Sequence, residues 1–561
     1  MKTKILLFIL ILMCIFFNES SGQVENVSLA NPVYDFLKEM RVKRIISDYF
    51  DDDPSMSRFQ VADRLKEMFR KKGQLSNTEK KLLDKYMIEF IPEDMSSKNT
   101  MSLFGGNMRT SNGFKDFFSD KEKYLFAYEK KKNNVFINGI GELYYVNGLK
   151  PSKKSNAKIF YGGFRIRGSL FGQVGYNFSV EKGGAVGDSV LIENAFPPIR
   201  SNFKYVENIE NIKNFDFANG YLKFRFNPAE DMDIFLQLGR EKIKYGLGYS
   251  DRLVLSGNSP NMDFIKFNFN YGILHYSSIF ASTVGEFNKI VVNNYTKYFI
   301  ANRLKLSFKD VLDVGIGESI IASRGFELAY LNPVIFYKFV EHSLQDRDNG
   351  TIFFDVQTHF LKDLELQGTF FLDENILSNL SDMSKQSNKS AYQLGLFWYE
   401  PAGIKNLAVI FEYTKIRPYV YTHYDPKNTY TAFGEIIGNP IGPNADQLFT
   451  RLNYNLNQRV KLSLEYKRIR KGENIYAPDG SLAENFGGNV YDKYREGIDS
   501  PEAFFLDGIR INTDNVRFNI TYEPAKNYIF DLNYVYDISK NLTYGSKSDA
   551  SYAFARFTLG Y

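Results

Sequence analysis

The chain of 561 residues holds one cysteine, one tryptophan (Trp398) and four histidines. The cysteine, Cys14, lies in the apolar run from Ile5 to Phe17, which follows Lys2 and Lys4 and precedes Ser20-Ser21-Gly22. A basic start, an apolar run of about 13 residues and small residues after it describe a secretory signal peptide over residues 1–22; the run is too short to span a membrane. Bulky Met13 stands where lipid modification of Cys14 would want a small residue. Once the signal is removed no thiol is left, which excludes disulfides, iron–sulfur clusters and cysteine nucleophiles. His275, His342, His359 and His423 lack metal-ligand spacing, and no nucleophile or zinc motif is present. Neither a metal, a cofactor nor catalysis is expected, although a hydrolase using one of these histidines is the alternative. Asp373-Glu374 cannot form a glycosidase pair, because neighbours on a strand point to opposite faces. Past the signal no apolar run nears the roughly 20 residues of a transmembrane helix. With 70 basic against 65 acidic residues, the net charge of +5 is too balanced to imply nucleic acid.

Aromatics, by contrast, are abundant: 51 Phe and 38 Tyr bring them to 16%, while mean hydropathy is −0.32. A chain rich in aromatics, polar on average and without membrane helices suits an outer-membrane β-barrel with a polar interior and aromatic girdles. From about Lys123 onward the apolar period is 2. Ile265, Phe267, Phe269 and Tyr271 alternate with Lys266, Asn268 and Asn270; Leu222, Phe224 and Phe226 oppose Tyr221, Lys223 and Arg225. Val174 to Val180, Val460 to Lys467 and Val516 to Tyr522 repeat the pattern. Burying Arg165, Arg167 or Lys266 in a dry sandwich core would cost several kcal/mol each unless paired, whereas a wide barrel lets them face water or one another. At roughly 24 residues per strand and connection, about 16 to 18 strands fit, and an antiparallel barrel of 18 is expected. Phe557, Leu559 and Tyr561 alternate with Arg556, Thr558 and Gly560, as in a closing strand whose aromatic end serves as a membrane-insertion signal for the barrel assembly machinery. Outer-membrane lipid would contact the apolar face.

Residues 31–91 read as helices. Asn31-Pro32 opens the first, with Val33, Phe36, Leu37 and Met40 on one face. The second starts near Ser57 and carries Val61, Ala62, Leu65, Met68 and Phe69. The third starts at the capping box Ser76-Asn77-Thr78-Glu79 and stops at Pro92. Asp51-Asp52-Asp53-Pro54 lacks the spacing and glycine of an EF-hand loop and reads as a solvated turn. The expected organisation is signal peptide 1–22, periplasmic helical head 23–95, linker 96–122 and outer-membrane barrel 123–561.

Segments in fixed order resemble the Wzi family of capsule-assembly outer-membrane proteins, in a Bacteroidetes-like form. They are Leu238-Gly239-Arg240, Tyr245-Gly246-Leu247-Gly248, Leu253-Val254-Leu255-Ser256, Gly317-Glu318, Arg324 and Tyr330-Leu331-Asn332-Pro333. Asp348-Asn349, Asp355, Leu372-Asp373-Glu374, Glu412-Tyr413-Thr414, Arg417-Pro418-Tyr419, Tyr421-Thr422-His423 and Gly442-Pro443-Asn444-Ala445-Asp446 continue the order. Pro32 to Leu37 and Ser57-Arg58 resemble an S-layer-homology-like element, with Gln60 where an acidic residue is usual. The resemblance implies a barrel blocked at its periplasmic end by the helical head. It also implies a lectin-like outer side that binds capsular or other surface polysaccharide and holds the capsule on the cell, with no bond made or broken.

Sugars are held by aromatic rings and by fixed charged or amide groups, and an acidic polymer favours arginine. Candidate polysaccharide-binding residues are Arg417, Tyr419, Tyr421 and His423, with Tyr424, Asp425 and Tyr430 nearby, together with Arg240, Glu318, Arg324, Asp373 and Glu412. Glu318, Arg324, Asp373, Glu374 and Glu412 suit a lumenal ladder of ion pairs better than direct ligand contact, and the tyrosines suit an interfacial girdle as well as a sugar platform. Gly246 and Gly248 suit a close sugar approach or a tight turn, and Asn332-Pro333 a strand end. A porin or substrate-specific channel is the alternative function; a TonB-dependent transporter would need a larger, non-helical plug.

Overall fold

The computed structural model describes residues 22–91, 100–107, 114–151, 155–201, 212–286, 294–345, 347–373 and 381–560; the signal segment up to 21, Glu374 and Tyr561 lie outside the described residues. Eighteen antiparallel strands close into a barrel. The first six are β1 (Asn133–Lys150), β2 (Asn156–Leu170), β3 (Val174–Gly187), β4 (Lys213–Ala229), β5 (Met232–Glu241) and β6 (Met262–Tyr271). Then come β7 (Leu274–Val284), β8 (Thr296–Ser307), β9 (Leu312–Ala322), β10 (Asn349–Thr358), β11 (Leu364–Asp373) and β12 (Ser390–Tyr399). The last are β13 (Leu407–Ile416), β14 (Ala445–Asn455), β15 (Val460–Glu473), β16 (Ile509–Ala525), β17 (Tyr528–Asn541) and β18 (Ser546–Gly560). Closure comes where β18 meets β1, Tyr552 beside Gly148 and Gly560 beside Ile140. A short strand, Phe126–Lys130, extends this seam along the start of β1. Part of the stretch expected as a linker is also structured: Thr100–Ser102 pairs in parallel with Glu122–Tyr124.

The period of 2 places lipid-facing and lumenal residues as the alternation requires. In β6 Ile265 is 45% exposed while Lys266 is 5% exposed. Leu222, Phe354, Leu394 and Phe518 share the outer surface, and Lys223, Arg303 and Asp531 point inward. Inward charges are paired or hydrogen-bonded: Arg556 meets Asp531 at 2.7 Å and Arg451 meets Glu465 at 2.9 Å, while Lys223 donates to Asn26 and Ser57 at 2.7 Å. Phe267 shares the outer parity of Ile265. Phe267→Lys is expected to cost about 2–4 kcal/mol of folding into lipid if the site lies near the bilayer midplane. Urea titration of folding into vesicles measures it; a wild-type midpoint would refute the facing.

Connections are short at one end, such as Phe171–Gln173 and Gly272–Ile273, and long at the other. Filling the short-turn end is the head, with α1 (Val33–Val42), α2 (Arg58–Arg70) and α3 (Asn77–Phe90). Each start is capped as its sequence dictates. Asn31 Oδ1 accepts from the Val33 amide at 2.9 Å, and Ser57/Gln60 and Ser76/Glu79 form reciprocal capping boxes. Leu37, Met40, Val61, Leu65, Met68, Leu83 and Phe90 build one core, which continues without a break into Phe397, Tyr399, Ile410 and Phe449 of the barrel wall. Around it, Lys43 pairs with Glu79 at 2.7 Å and Arg44 donates to the His359 carbonyl at 3.0 Å.

The acidic run departs from expectation. Asp51, Asp52 and Asp53 are not a solvated turn but enter the lumen, where Asp52 and Asp53 meet cations of the wall and Asp51 meets Lys38 of α1 and the Gln357 amide of β10. Asp52 accepts from Arg303 and, at 2.8 Å, from Lys305; Asp53 accepts from Lys266 and from the Asn268 amide at 2.8 Å; Asp51 accepts from Lys38. Arg303 is shared with Asp355. The carboxylates therefore tie the head to β6, β8 and β10.

Candidate functional site

Above the head, two more layers cross the lumen. The lower is the β5–β6 connection, 242–261, which folds inward. Its Gly246 amide donates to the Asp52 carbonyl at 2.9 Å, joining it to the head. Gly246 has φ +87°, and a Cβ there would press on Val254, so the tight turn accounts for this glycine. Glu412, fully buried on β13, accepts from the amides of Tyr249 (2.7 Å) and Ser250 (3.1 Å) and from the Ser250 hydroxyl. Tyr249 in turn donates to Glu365 at 2.6 Å.

The upper layer is the β13–β14 connection, 417–444. Tyr421 and Tyr430 stack at 5.0 Å and donate to the Leu253 and Val254 carbonyls of the layer below, at 2.7 and 2.9 Å. Asp373 at the end of β11 accepts from the Tyr421 amide. A third inward segment begins with α4 (Ser189–Ala195), whose Leu191 and Ile192 pack with Tyr144, Phe215 and Phe554 of the adjoining strands β1, β4 and β18.

The predicted residues thus separate. Tyr419 and Tyr421 are 1% and 0% exposed, and Tyr430 is equally buried; they are packing and hydrogen-bonding members of the loop layers, neither an interfacial girdle nor an open ring platform. Both Tyr419 (φ +63°) and Tyr421 (φ +72°) take left-handed backbone, which bulky residues adopt only when their surroundings hold them there. Arg417, also buried, donates to the Asn388 carbonyl at 3.0 Å and the Met383 carbonyl at 2.7 Å, and so positions residues 383–389. Asp373 and Glu412 bind backbone amides rather than standing in an ion-pair ladder. Arg324 pairs with Asp348 at 3.0 Å and Glu327 at 3.2 Å. Arg240 pairs with Asp263 at 2.8 Å on the outer parity of β5 and β6, away from the others. Glu318 is not lumenal: it lies on the outer wall, where it caps α5 (Tyr337–Ser343) through the amides of Tyr337 and Lys338. Asn332-Pro333 ends no strand, since β9 stops at Ala322 and these residues belong to the following loop. Phe557 stacks on Phe530 at 4.8 Å on the outer surface, as the closing-strand pattern requires.

His423, though 3% exposed, lies in the wall of open space. A basin of about 690 Å³ opens among the long loops, walled by Lys338 and His342 of α5, Gln386 and Lys389 beside β12, His423 and Tyr424, and Lys493 and Tyr494. The His423 ring stands 4.2 Å from that of Tyr424, which is 56% exposed. Three carboxylates, Glu341, Asp348 and Glu496, balance the three lysines. Lys338 pairs with Glu341 at 2.6 Å, and Asp348 is taken up by Arg324 and by the Tyr330 hydroxyl at 2.8 Å. A charge-balanced bowl of donors, acceptors and rings suits a hydroxyl-rich ligand. Lys389, Lys493 and Tyr494 carried no sequence signal beyond membership of long connections; Arg417 adjoins the basin through the segment it holds.

The family model described as capsule assembly protein Wzi matches residues 153–550. Among solved structures, the chain is similar to Wzi from Escherichia coli, an outer-membrane protein involved in group 1 capsule assembly and described as a carbohydrate-binding β-barrel. There the TM-score is 0.53 at 12% identity, over 96% of this chain and 99% of that one. The outer-membrane protein OprD from Pseudomonas aeruginosa aligns over 76% of this chain and 94% of its own at TM-score 0.42 and 13% identity. No curated protein matches in sequence. With the family's model covering most of the barrel, the chain belongs to the capsule assembly protein Wzi family and resides in the outer membrane of a Gram-negative bacterium.

Proposed function

We propose that the protein binds surface polysaccharide at its long-loop end and holds capsule or exopolysaccharide on the cell, without making or breaking a bond. The supporting observation is the basin: beside the stacked layers that occupy the lumen, it is a roomy, ring-lined, charge-balanced cavity among the long loops. The Escherichia coli relative, described as carbohydrate-binding, lends the ligand class. In this reading the short turns and the helical head face the periplasm, the long loops face outward, lipid surrounds the apolar wall, and the assembly machinery inserts the barrel.

Tyr424, backed by His423, would stack against the apolar face of a sugar ring while Gln386, Lys389 and Lys493 meet its hydroxyl or carboxylate groups. The test is binding of the detergent-solubilised protein to the producer's own polysaccharide, with an unrelated polymer as control. Saturable, selective binding is expected, weakened about tenfold, or about 1.4 kcal/mol, by Tyr424→Ala combined with Lys493→Ala. Equal retention of both polymers, or none of either, would refute the reading. Tyr419 and Tyr421 are unsuitable probes because their loss disturbs the loop layers.

A further inference from the structure

Polar side chains stand on the membrane-facing surface of β7, β8 and β9. Arg303 and Lys305 point into the lumen, where both meet Asp52, so Asn302 and Leu304 point outward. Asn302 lies in register with Ser278 on one side and Glu318 on the other. Their outward neighbours Leu304 and Ile316 are 37% and 40% exposed, as befits a lipid belt, but Asn302 and Glu318 are only 7% and 4% exposed. What covers them is the β9–β10 connection, 323–345, which folds over the outside of the barrel.

The cover is built to these polar groups. Glu318 accepts from the Tyr337 amide at 2.6 Å and the Lys338 amide at 3.0 Å. The Asn302 amide donates to the Ile335 carbonyl at 3.1 Å, the Ser278 and Tyr337 hydroxyls are 3.1 Å apart, and the Tyr276 hydroxyl donates to the Pro333 carbonyl. Ile300 and Ile320, also outward, pack under Tyr330, Tyr337 and Val340. On β10, Gly350 leaves room for the Glu341 carboxylate, which a side chain there would strike. The other surface of the same segment is apolar and bare: Val334 is 87% exposed, Phe339 72%, Leu328 71%, Phe336 63% and Phe326 58%. Apolar side chains bared together to this degree mark an interface.

We propose that residues 323–345 form a membrane-embedded flap whose outer surface lies among the acyl chains of the outer leaflet. Lipid is the occupant the geometry favours, because the bare residues continue the belt of Leu304, Val314 and Ile316 beneath them. The flap lets a carboxylate stand on the lipid side of the wall, since in hydrocarbon an uncovered charge or an unsatisfied amide is costly. α5 also carries Lys338 and His342 into the basin, so one wall of that basin is held at the level of the membrane surface.

The chain's lone cysteine, Cys14, precedes the barrel, so a Cys14→Ser background accepts unique labels. Val334→Cys, Phe336→Cys and Phe339→Cys would each carry a nitroxide in the full-length protein reconstituted into phosphatidylcholine vesicles. Oxygen accessibility several-fold above that of a water-soluble nickel chelate is expected at all three, as at Leu304→Cys on the belt and opposite to Tyr424→Cys in the basin. Nickel access matching Tyr424→Cys would overturn the proposal. So would dipolar broadening that disappears on dilution with unlabelled protein, which would mean that a second copy covers the surface. Adding Glu318→Ala to the Phe336→Cys variant should sharpen the label's spectrum by loosening α5; an unchanged spectrum would remove the carboxylate from the flap's anchorage.

Discussion

Asp52→Ala is expected to weaken docking of the helical head by about 3–5 kcal/mol, the usual cost of removing one partner from a buried charge cluster. The side chain is 5% exposed and faces Arg303 and Lys305, each 2% exposed. Without it Arg303 keeps Asp355, but Lys305 is left with Asp313 at 3.9 Å as its remaining carboxylate among the described residues. A wall whose other pairs are intact should stay closed, so the change should fall on the head. Limited proteolysis in detergent should cut Asp52→Ala within residues 23–91 at enzyme concentrations that leave the wild type whole, while the barrel keeps its resistance to unfolding by dodecyl sulfate. Equal cleavage of both proteins would show that the apolar core shared with Phe397, Tyr399 and Phe449 suffices for docking.

The same cluster gives docking a pH window. Burial raises the Asp52 carboxyl, but Arg303 and Lys305 outweigh it and hold the group well below the ordinary carboxylate range. A depressed folded pKa contributes stability that is present above the unfolded value, about 3.9, and is lost as pH falls below it. Glu39 of α1 behaves in the opposite sense. Burial, with Asp35 and Glu79 adding to it, lifts its carboxyl to about 8 against the pull of Lys461 and an amide bond from Asn455. A raised folded pKa contributes stability that is fully present below the unfolded value, about 4.3, and is lost progressively as pH rises from there to about 8. Proteolytic resistance of the head should therefore peak at about pH 4, where the first contribution is complete and the second has not begun to fall.

What the sequence made legible is what a period of 2 and a period of 3.6 can carry. The lipid-facing stripe of β6 and the capped faces of α1 to α3 are local properties, written in consecutive residues, and the structure has them where the spacing puts them. Asp52 and Asp53 could not be read in this way, because their counter-ions stand more than two hundred residues further along the chain and only barrel closure brings them together. Tyr419, Tyr421 and Tyr430 were recognisable as an aromatic cluster, but whether such a cluster faces solvent depends on the inward fold of 242–261, whose Leu253 and Val254 carbonyls hold two of the hydroxyls. Glu318 did leave a trace: it interrupts the outward series Val314, Ile316, Ile320 with a carboxylate on the lipid parity, a position that calls for a cover.

The three layers across the lumen are held by separate carboxylates, and this makes conductance a sharp test of their independence. Asp52 holds the head, Glu412 holds 242–261 through two amides and a hydroxyl, and Asp373 holds 417–444 through the Tyr421 amide. Removing a charged acceptor typically forfeits about 1.5–3 kcal/mol per hydrogen bond and leaves the donors unsatisfied, so Glu412→Ala should free its layer by several kcal/mol. Freeing one layer leaves two in place. Wild type and each single variant are therefore expected to be silent in planar bilayers, whereas Asp52→Ala combined with Glu412→Ala and Asp373→Ala should give discrete conductance steps through the opened lumen. Distant sites that share no partner act additively, but here the layers touch, through Gly246 on Asp52 and through Tyr421 and Tyr430 on Leu253 and Val254. The triple variant should accordingly open more often than the three single effects would give together. Steps in the wild type would return the weight to a channel, and silence of the triple variant would mean that apolar packing, not the carboxylates, keeps the lumen closed.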